Sequence, residues 1–227
     1  MSRVVLLALA PAALCGACTG GLHSSAPAVQ SYFLQAPAAP VVPAGPVTPA
    51  ASAHSESAPS LQVARPLAAP GLDSDQIAVL QSDQRLASFT ASRWTASLPD
   101  LLESLTVDVL RDGGGFSAVE GSRSVFPAQY LLQLSIRDFE ADYREGAGPP
   151  LVRVRLHALI ERRPGREVIA SFDVEHSERA AQDRLAAVVA AFQHAADAAL
   201  AATADTLRGT IRTATAPSPP SGDSASN

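Results

Sequence analysis

Cys15 and Cys18 are the two cysteines of the chain, spaced C-x-x-C in Leu14-Cys15-Gly16-Ala17-Cys18. Thiols at that spacing can cycle as a redox pair, supply half of a zinc site, or accept a covalent group. A redox pair should follow a strand and open a helix, whereas this one ends an apolar run. A zinc site needs two more ligands, and His23 is a lone imidazole nearby. The other polar constellations are weaker. His157 and His176, with Glu175 adjacent, fall on neighbouring predicted strands, but His157 reads outward and His176 lies at a strand end. Asp73-Ser74-Asp75 lacks the further oxygen ligands of a calcium loop and reads as an Asx turn. Gly115-Phe116-Ser117-Ala118-Val119 lacks the second glycine of a nucleophile elbow. Gly113-Gly114-Gly115 follows a helical pattern, whereas a phosphate loop precedes one, so it reads as a helix stop. Arg93-Trp94 joins two residue types enriched at docking hot spots; the plainer reading packs Trp94 under the first helix. Nothing in this inventory calls for a catalytic group, a metal or a cofactor.

The surroundings of the cysteines decide between the three chemistries. Met1-Ser2-Arg3 is singly positive, Val4 to Leu14 is apolar with one interruption at Pro11, and small Gly16 and Ala17 follow. Residues 1–17 read as a secretory signal peptide. Its end is similar to a bacterial lipobox, in which the cysteine just after the cut is acylated, with palmitate for example. Cys18 is then the lipidation site. Cys15 stands where that pattern usually has leucine, and it leaves with the signal. The mature chain would keep no thiol and no disulfide, so packing must stabilise it.

Composition bounds the rest. The 227 residues suit one domain plus tails. Hydrophobic residues make up 47% but aromatics only 5%, so the usable core is smaller than the apolar fraction suggests. All 17 basic residues are arginine, the net charge is −5, and no basic block occurs, which removes the electrostatic footprint of a nucleic-acid binder. No apolar run of about 18 residues lies in the body of the chain. Residues 18–59 read as a tether and an Ala/Pro-rich linker. One island, Ser31-Tyr32-Phe33-Leu34-Gln35, is either a strand that docks on the domain or a sticky spot in the linker. Residues 213–227 read as a disordered tail.

Residues 60–212 carry the periodicities of a folded domain. Strands are predicted over Leu61–Arg65, Gln76–Gln81 and Leu86–Arg93, the last two forming a hairpin through Ser82-Asp83-Gln84. Ser97 and Asp100 fit a capping box, with Pro99 in the first turn. Leu98, Leu101, Leu102, Leu105 and Val109 form the apolar stripe of that helix. A short edge strand, Ala118–Val125, ends before Pro127. Tyr130, Leu132, Leu134 and Ile136 alternate inward, but Phe139, Ala141 and Tyr143 continue with the opposite parity. That slip predicts a β-bulge near Arg137-Asp138. Val152, Val154, Leu156, Ala158 and Ile160 point in from the next strand, with Arg153, Arg155, His157 and Glu161 out. Val168, Ala170, Phe172 and Val174 point in from the last. Ser177 is the expected N-cap of a long closing helix with its stripe from Leu185 to Ile211. The expected fold is α+β: an antiparallel sheet with two helices packed on one face, a two-layer sandwich.

Several of these stretches, taken in order, resemble the ABC-type transport auxiliary lipoprotein component family (PqiC-like proteins). The points of likeness are the lipobox Cys18, the island Tyr32-Phe33-Leu34, Val63-Ala64-Arg65-Pro66, Leu72-Asp73-Ser74-Asp75-Gln76-Ile77, and Arg93-Trp94-Thr95-Ala96-Ser97-Leu98. The Ala/Pro insert after Leu34 and a divergent strand at Ile77–Gln81 depart from it. The resemblance implies a periplasm-facing, non-catalytic lipoprotein that docks to an MCE-type membrane protein and an ABC permease/ATPase complex moving lipids. It would be anchored in the membrane through acylated Cys18. Thr19 after that cysteine favours the outer membrane over the inner one by the usual sorting rule. Two other classes stay open: a periplasmic hydrolase-type enzyme, and an envelope-assembly lipoprotein that binds another protein by its sheet edge. Whether the chain forms a homo-oligomer is also open.

Overall fold

The computed structural model describes residues 28–36, 58–146 and 148–215. The expected signal peptide, Cys18, most of the Ala/Pro-rich linker and residues 216–227 fall outside these residues, whereas residues 213–215, expected in the tail, belong to the last helix. The chain runs β1 (Gln30–Tyr32), β2 (Ser60–Val63), β3 (Leu67–Ala68), β4 (Gln76–Leu80), β5 (Leu86–Trp94), α1 (Leu98–Asp112), β6 (Ala118–Glu120), β7 (Tyr130–Asp142), β8 (Leu151–Arg162), β9 (Glu167–Arg179) and α2 (Leu185–Thr215).

The strands form one nine-stranded sheet organised around β7. On one edge β7 pairs antiparallel with β8 from Tyr130↔Arg162 to Asp142↔Leu151. On its other edge β2, β3 and β4 follow one another, all parallel to it. The sheet is therefore mixed, and the expectation of an antiparallel sheet is corrected. Alternation reports which face of a strand is buried, and its period of two is the same whichever way the neighbouring strand runs. The reason lies in the breakers: Pro66 and Pro70-Gly71 cut one edge run into three short strands that keep a common direction. Gly71 has φ +89°, and a side chain there would strike Leu86, so only glycine fits this crossing.

Three local expectations are also corrected. β9 continues to Arg179, paired with Leu151 of β8, so Ser177 lies in a strand and caps no helix. Helix α2 begins where the apolar stripe begins, at Leu185. β6 is only Ala118–Glu120, pairing parallel with β2, because Gly121 turns the chain. Val168 is 55% exposed, because the register shifts between Ile160 and Glu161 and leaves Ile169 as an extra residue in β9. The slip read from the sequence in β7 is present as a register shift between Ile136 and Asp138.

The core joins residues of both helices to residues of the sheet. Leu98, Leu102 and Leu105 of α1 and Val188, Phe192 and Leu200 of α2 join one cluster with Ile136, Phe139, Val154 and Leu156. Trp94, Phe139 and Phe192 form its centre. Phe139 and Phe192 stack at 5.0 Å, and the Trp94 ring meets each edge-on, at 6.1 and 5.3 Å. By length and composition α2 could cross a membrane, yet its stripe from Val188 to Ile211 is buried in the protein. In an aromatic-poor chain, these three rings supply a large share of the contact area at the centre. Phe192→Ala should cost about 3–5 kcal/mol in urea unfolding, whereas Val168→Ala, on an exposed site, should change stability by less than about 0.5 kcal/mol.

Candidate functional site

Three separated stretches converge at the junction of β5 and α1. β5 ends at Trp94, whose amide donates to the Asp75 carbonyl at 2.7 Å. The α1 N-cap is Ser97; its Oγ accepts from the Asp100 amide at 3.4 Å and donates to Asp100 Oδ2 at 2.6 Å. The Leu98 amide, one of the donors a helix start leaves unpaired, reaches the Ser74 carbonyl at 2.8 Å. Across the junction lies Arg65, just beyond β2. Its Nε meets Asp100 Oδ1 at 2.9 Å, and its Nη2 meets Asp73 Oδ1 at 3.1 Å and Ser97 Oγ at 3.3 Å. Ser97 and then Arg65 hold the Asp100 carboxyl below its usual range, and Asp100 and then Asp73 hold the Arg65 guanidinium above its own.

The N-terminal island docks at this junction. β1 adds to β5 in parallel, with Gln30↔Ser92, Ser31↔Arg93 and Tyr32↔Trp94. The Thr95 amide then donates to the Tyr32 carbonyl at 2.8 Å, and Leu34 is buried in the core. Gln193 of α2 grips the following backbone, accepting from the Gln35 amide at 2.9 Å and donating to the Gln35 carbonyl at 2.7 Å.

Of the pair Arg93-Trp94, Trp94 is 1% exposed and Arg93 is half exposed, with Nη1 3.6 Å from Asp75 Oδ2. The Arg93 side chain is thus the one the surface presents. Cys18 lies outside the described residues. His157 pairs in register with Asp173, its Nδ1 3.0 Å from Asp173 Oδ1, on the face of the sheet away from the helices. His176 pairs in register with buried Val154, so the two imidazoles point to opposite faces. Among the described residues no group of three or more His, Cys, Asp and Glu could hold a metal ion. Gly113-Gly114-Gly115 terminates α1, with Gly114 and Gly115 at φ +64° and +92°. A side chain at Gly113 would run into Arg208, which donates to the Gly114 carbonyl at 3.1 Å.

The face away from the helices carries the second charged constellation. Asp138, Glu140 and Asp142 alternate along β7, with Arg155 opposite Asp138 and Arg153 opposite Glu140. Arg155 meets Asp138 at 2.7 Å; Arg144 and Arg153 meet Asp142 at 2.7 and 3.0 Å. Arg144 holds the Asp142 carboxyl below its usual range. Glu140, 7% exposed, lies between two carboxylates. Burial, then Asp138, raises its pKa to about 7, against the pull of the Phe139 amide and Arg153. By alternation Glu140 falls on the face opposite Phe139 and Ala141, and its burial there has no local signal in the sequence. The Arg65 cluster did have one, since Arg65, Asp73 and Ser97 sit in three of the stretches quoted for the family likeness and Asp100 completes the capping box.

The model of the ABC-type transport auxiliary lipoprotein component family matches residues 42–204. The chain belongs to this family. Among solved structures, a Xanthomonas campestris protein of the DUF330 family is similar at 26% identity and a TM-score of 0.64, over 69% of this chain and 87% of that one. A second protein shares the fold at 16% identity and a TM-score of 0.56, over 65% and 90%. The PelC dodecamer from Paraburkholderia phytofirmans, at 12% identity and a TM-score of 0.40 over 63% and 85%, is too loosely similar to bear on assembly. No curated protein matches the chain. The auxiliary lipoproteins are, by their description, lipid-anchored auxiliary components of an ABC-type transport system.

Two predictions follow from the charged clusters. Arg65→Ala should lower stability by about 1 kcal/mol, because its exposed ion pairs are each worth little and its packing adds some. Ser97→Ala should cost about 1 kcal/mol through the lost cap, and the double variant should cost less than the sum because the two share Asp100. Glu140 has the opposite sign from the usual carboxylate. Its folded pKa is raised, so the folded state binds more protons than the unfolded one between about pH 4.5 and 7, and stability falls as pH rises through that window. Glu140→Gln should unfold at higher urea than the parent at pH 8, by up to about 3 kcal/mol, and match it near pH 4.

Proposed function

We propose that this family member is an accessory lipoprotein that docks to an MCE-type membrane protein and its ABC permease and ATPase in a lipid transport system. Acylated Cys18 holds it on the periplasmic side of the outer membrane. The observation that carries this reading is the docked strand β1. It limits the free tether to the residues between Cys18 and Gln30, about a dozen. Such a stretch spans roughly 20 Å as a coil and at most about 40 Å extended. The domain is thereby kept near the membrane surface, where a membrane-embedded partner can meet it. Stable anchoring needs more than one acyl chain, which a fully modified Cys18 supplies.

The two-layer packing of helices on one sheet face belongs to the same reading, because it leaves the other face and the sheet edges for contacts. Arg93, beside the docked strand, is the proposed contact residue, and Trp94 fixes the backbone beneath it.

Cys18→Ala should abolish incorporation of an alkyne-labelled fatty acid and move the protein from the membrane to the soluble fraction; retention of the label in that variant refutes the anchor. Arg93→Glu should reduce co-purification of the MCE-type component from envelope membranes about tenfold while leaving thermal unfolding unchanged. Equal recovery would remove Arg93 from the contact.

A further inference from the structure

The free long edge of the sheet is β9. Among the described residues its main chain pairs with β8 alone. The Ala180 amide donates to the Pro150 carbonyl at 3.0 Å, which continues the register of the β8–β9 pair by one step. In an antiparallel pair, hydrogen-bonded and non-hydrogen-bonded positions alternate. Counting back from Ala180, residues 178, 176, 174 and 172 bond to β8. Ser171, Asp173, Glu175, Ser177 and Arg179 therefore aim their N–H and C=O groups away from the sheet. Natural edges of this length are usually blunted by proline, by charged side chains, above all lysine, by bulges or by a covering segment, and here the charges are acidic. Between Ala170 and Glu178 there is neither proline nor lysine, and the one bulge, at Ile169, lies before this stretch.

The side chains along the edge specify a complement. On the helix side, Phe172 is only partly buried although it packs against both core clusters. On the far side stand Asp173 and Glu175, both exposed. Asp173 has His157 as its partner, and Glu175 has no ion pair among the described residues. Glu178 falls on the helix side with His176, 4.0 Å from His194 of α2. Arg179, at the end, is matched to Glu145. A strand laid beside β9 would meet Phe172 and Val174 on one side and, on the other, the exposed carboxylates of Asp173 and Glu175, the second standing opposite Arg155 of β8.

We infer that the β9 edge binds an extended segment of another protein that alternates apolar and basic residues. Its apolar side chains lie beside Phe172 and Val174, and its arginines or lysines lie beside Asp173 and Glu175. The main-chain groups at Ser171, Asp173, Glu175 and Ser177 supply the binding energy common to all such segments, and the alternation supplies selectivity. The inference rests neither on acylation of Cys18 nor on docking through Arg93.

The probe is a fluorescein-labelled peptide of alternating valine and arginine, about ten residues long to match the edge, with an alternating valine and glutamate peptide as control. Fluorescence anisotropy with the purified protein should show saturable binding of the first and none of the second. Ser177→Pro removes one outward N–H without changing charge and should weaken binding about tenfold. Glu175→Arg should weaken it by a similar factor, and thermal unfolding of both variants should match the parent. If Ser177→Pro does not fold, Ser171→Pro takes its place. Absence of binding to the parent overturns the inference, as does undiminished binding to the folded proline variant. Concentration-dependent dimers in sedimentation that the proline variant abolishes would assign the edge to a second copy of this chain and would overturn it too.

Discussion

β7 hydrogen-bonds along both of its edges, and the other elements take their places from it. One edge is used continuously by β8, the other in three short parallel segments. A strand committed on both sides cannot slip by one residue without turning Phe139, Ala141 and Ile136 out of the core. The bulge between Ile136 and Asp138 is tolerated because it changes the parity of the strand once, and both halves still present apolar residues to the helices. The acidic ladder of Asp138, Glu140 and Asp142 on the other face is a product of that same phase change.

The aromatic cluster joins this scaffold to the docking of the N-terminal segment. Trp94 ends β5, packs edge-on against Phe139 and Phe192, and lies in register with Tyr32. Its backbone is tied to Asp75, and the helix that follows is capped by Ser97 and tied to Ser74. The stretches of the family likeness that lie among the described residues therefore meet in space. They hold a strand end, a helix start and a docked strand in one place, a structural role for which no catalytic geometry is needed.

Much of this was legible in the sequence, for definite reasons. The capping box at Ser97, the glycine stop after Asp112, the hairpin of β4 and β5 and the bulge in β7 are written in local chemistry or in parity. Strand direction was not, because β2, β3 and β4 are parallel to β7 only through the global path of the chain. The start of α2 was misplaced because Ser177 is a good cap by type, while pairing with β8 extends β9 past it to Arg179. Val168 was placed in the core because it keeps step with Ala170, Phe172 and Val174; the signal of the bulge was Ile169, apolar and out of phase, which packs against the core in its stead. At the β5–α1 junction the residues were visible but their convergence was not, since Arg65 and Asp100 meet only after folding.

The chain between Ala36 and Ala58 joins β1 to β2, two strands of the same sheet. It is a connection inside the domain and not a spacer ahead of it. A single backbone cut anywhere in that stretch would leave the N-terminal piece attached to the remainder by noncovalent contacts alone. These are the pairing of β1 with β5, the buried Leu34 and the grip of Gln193 on Gln35. Release from an anchor at Cys18 would then be a dissociation equilibrium of a short peptide, with its own rate, and would not be complete at the moment of proteolysis.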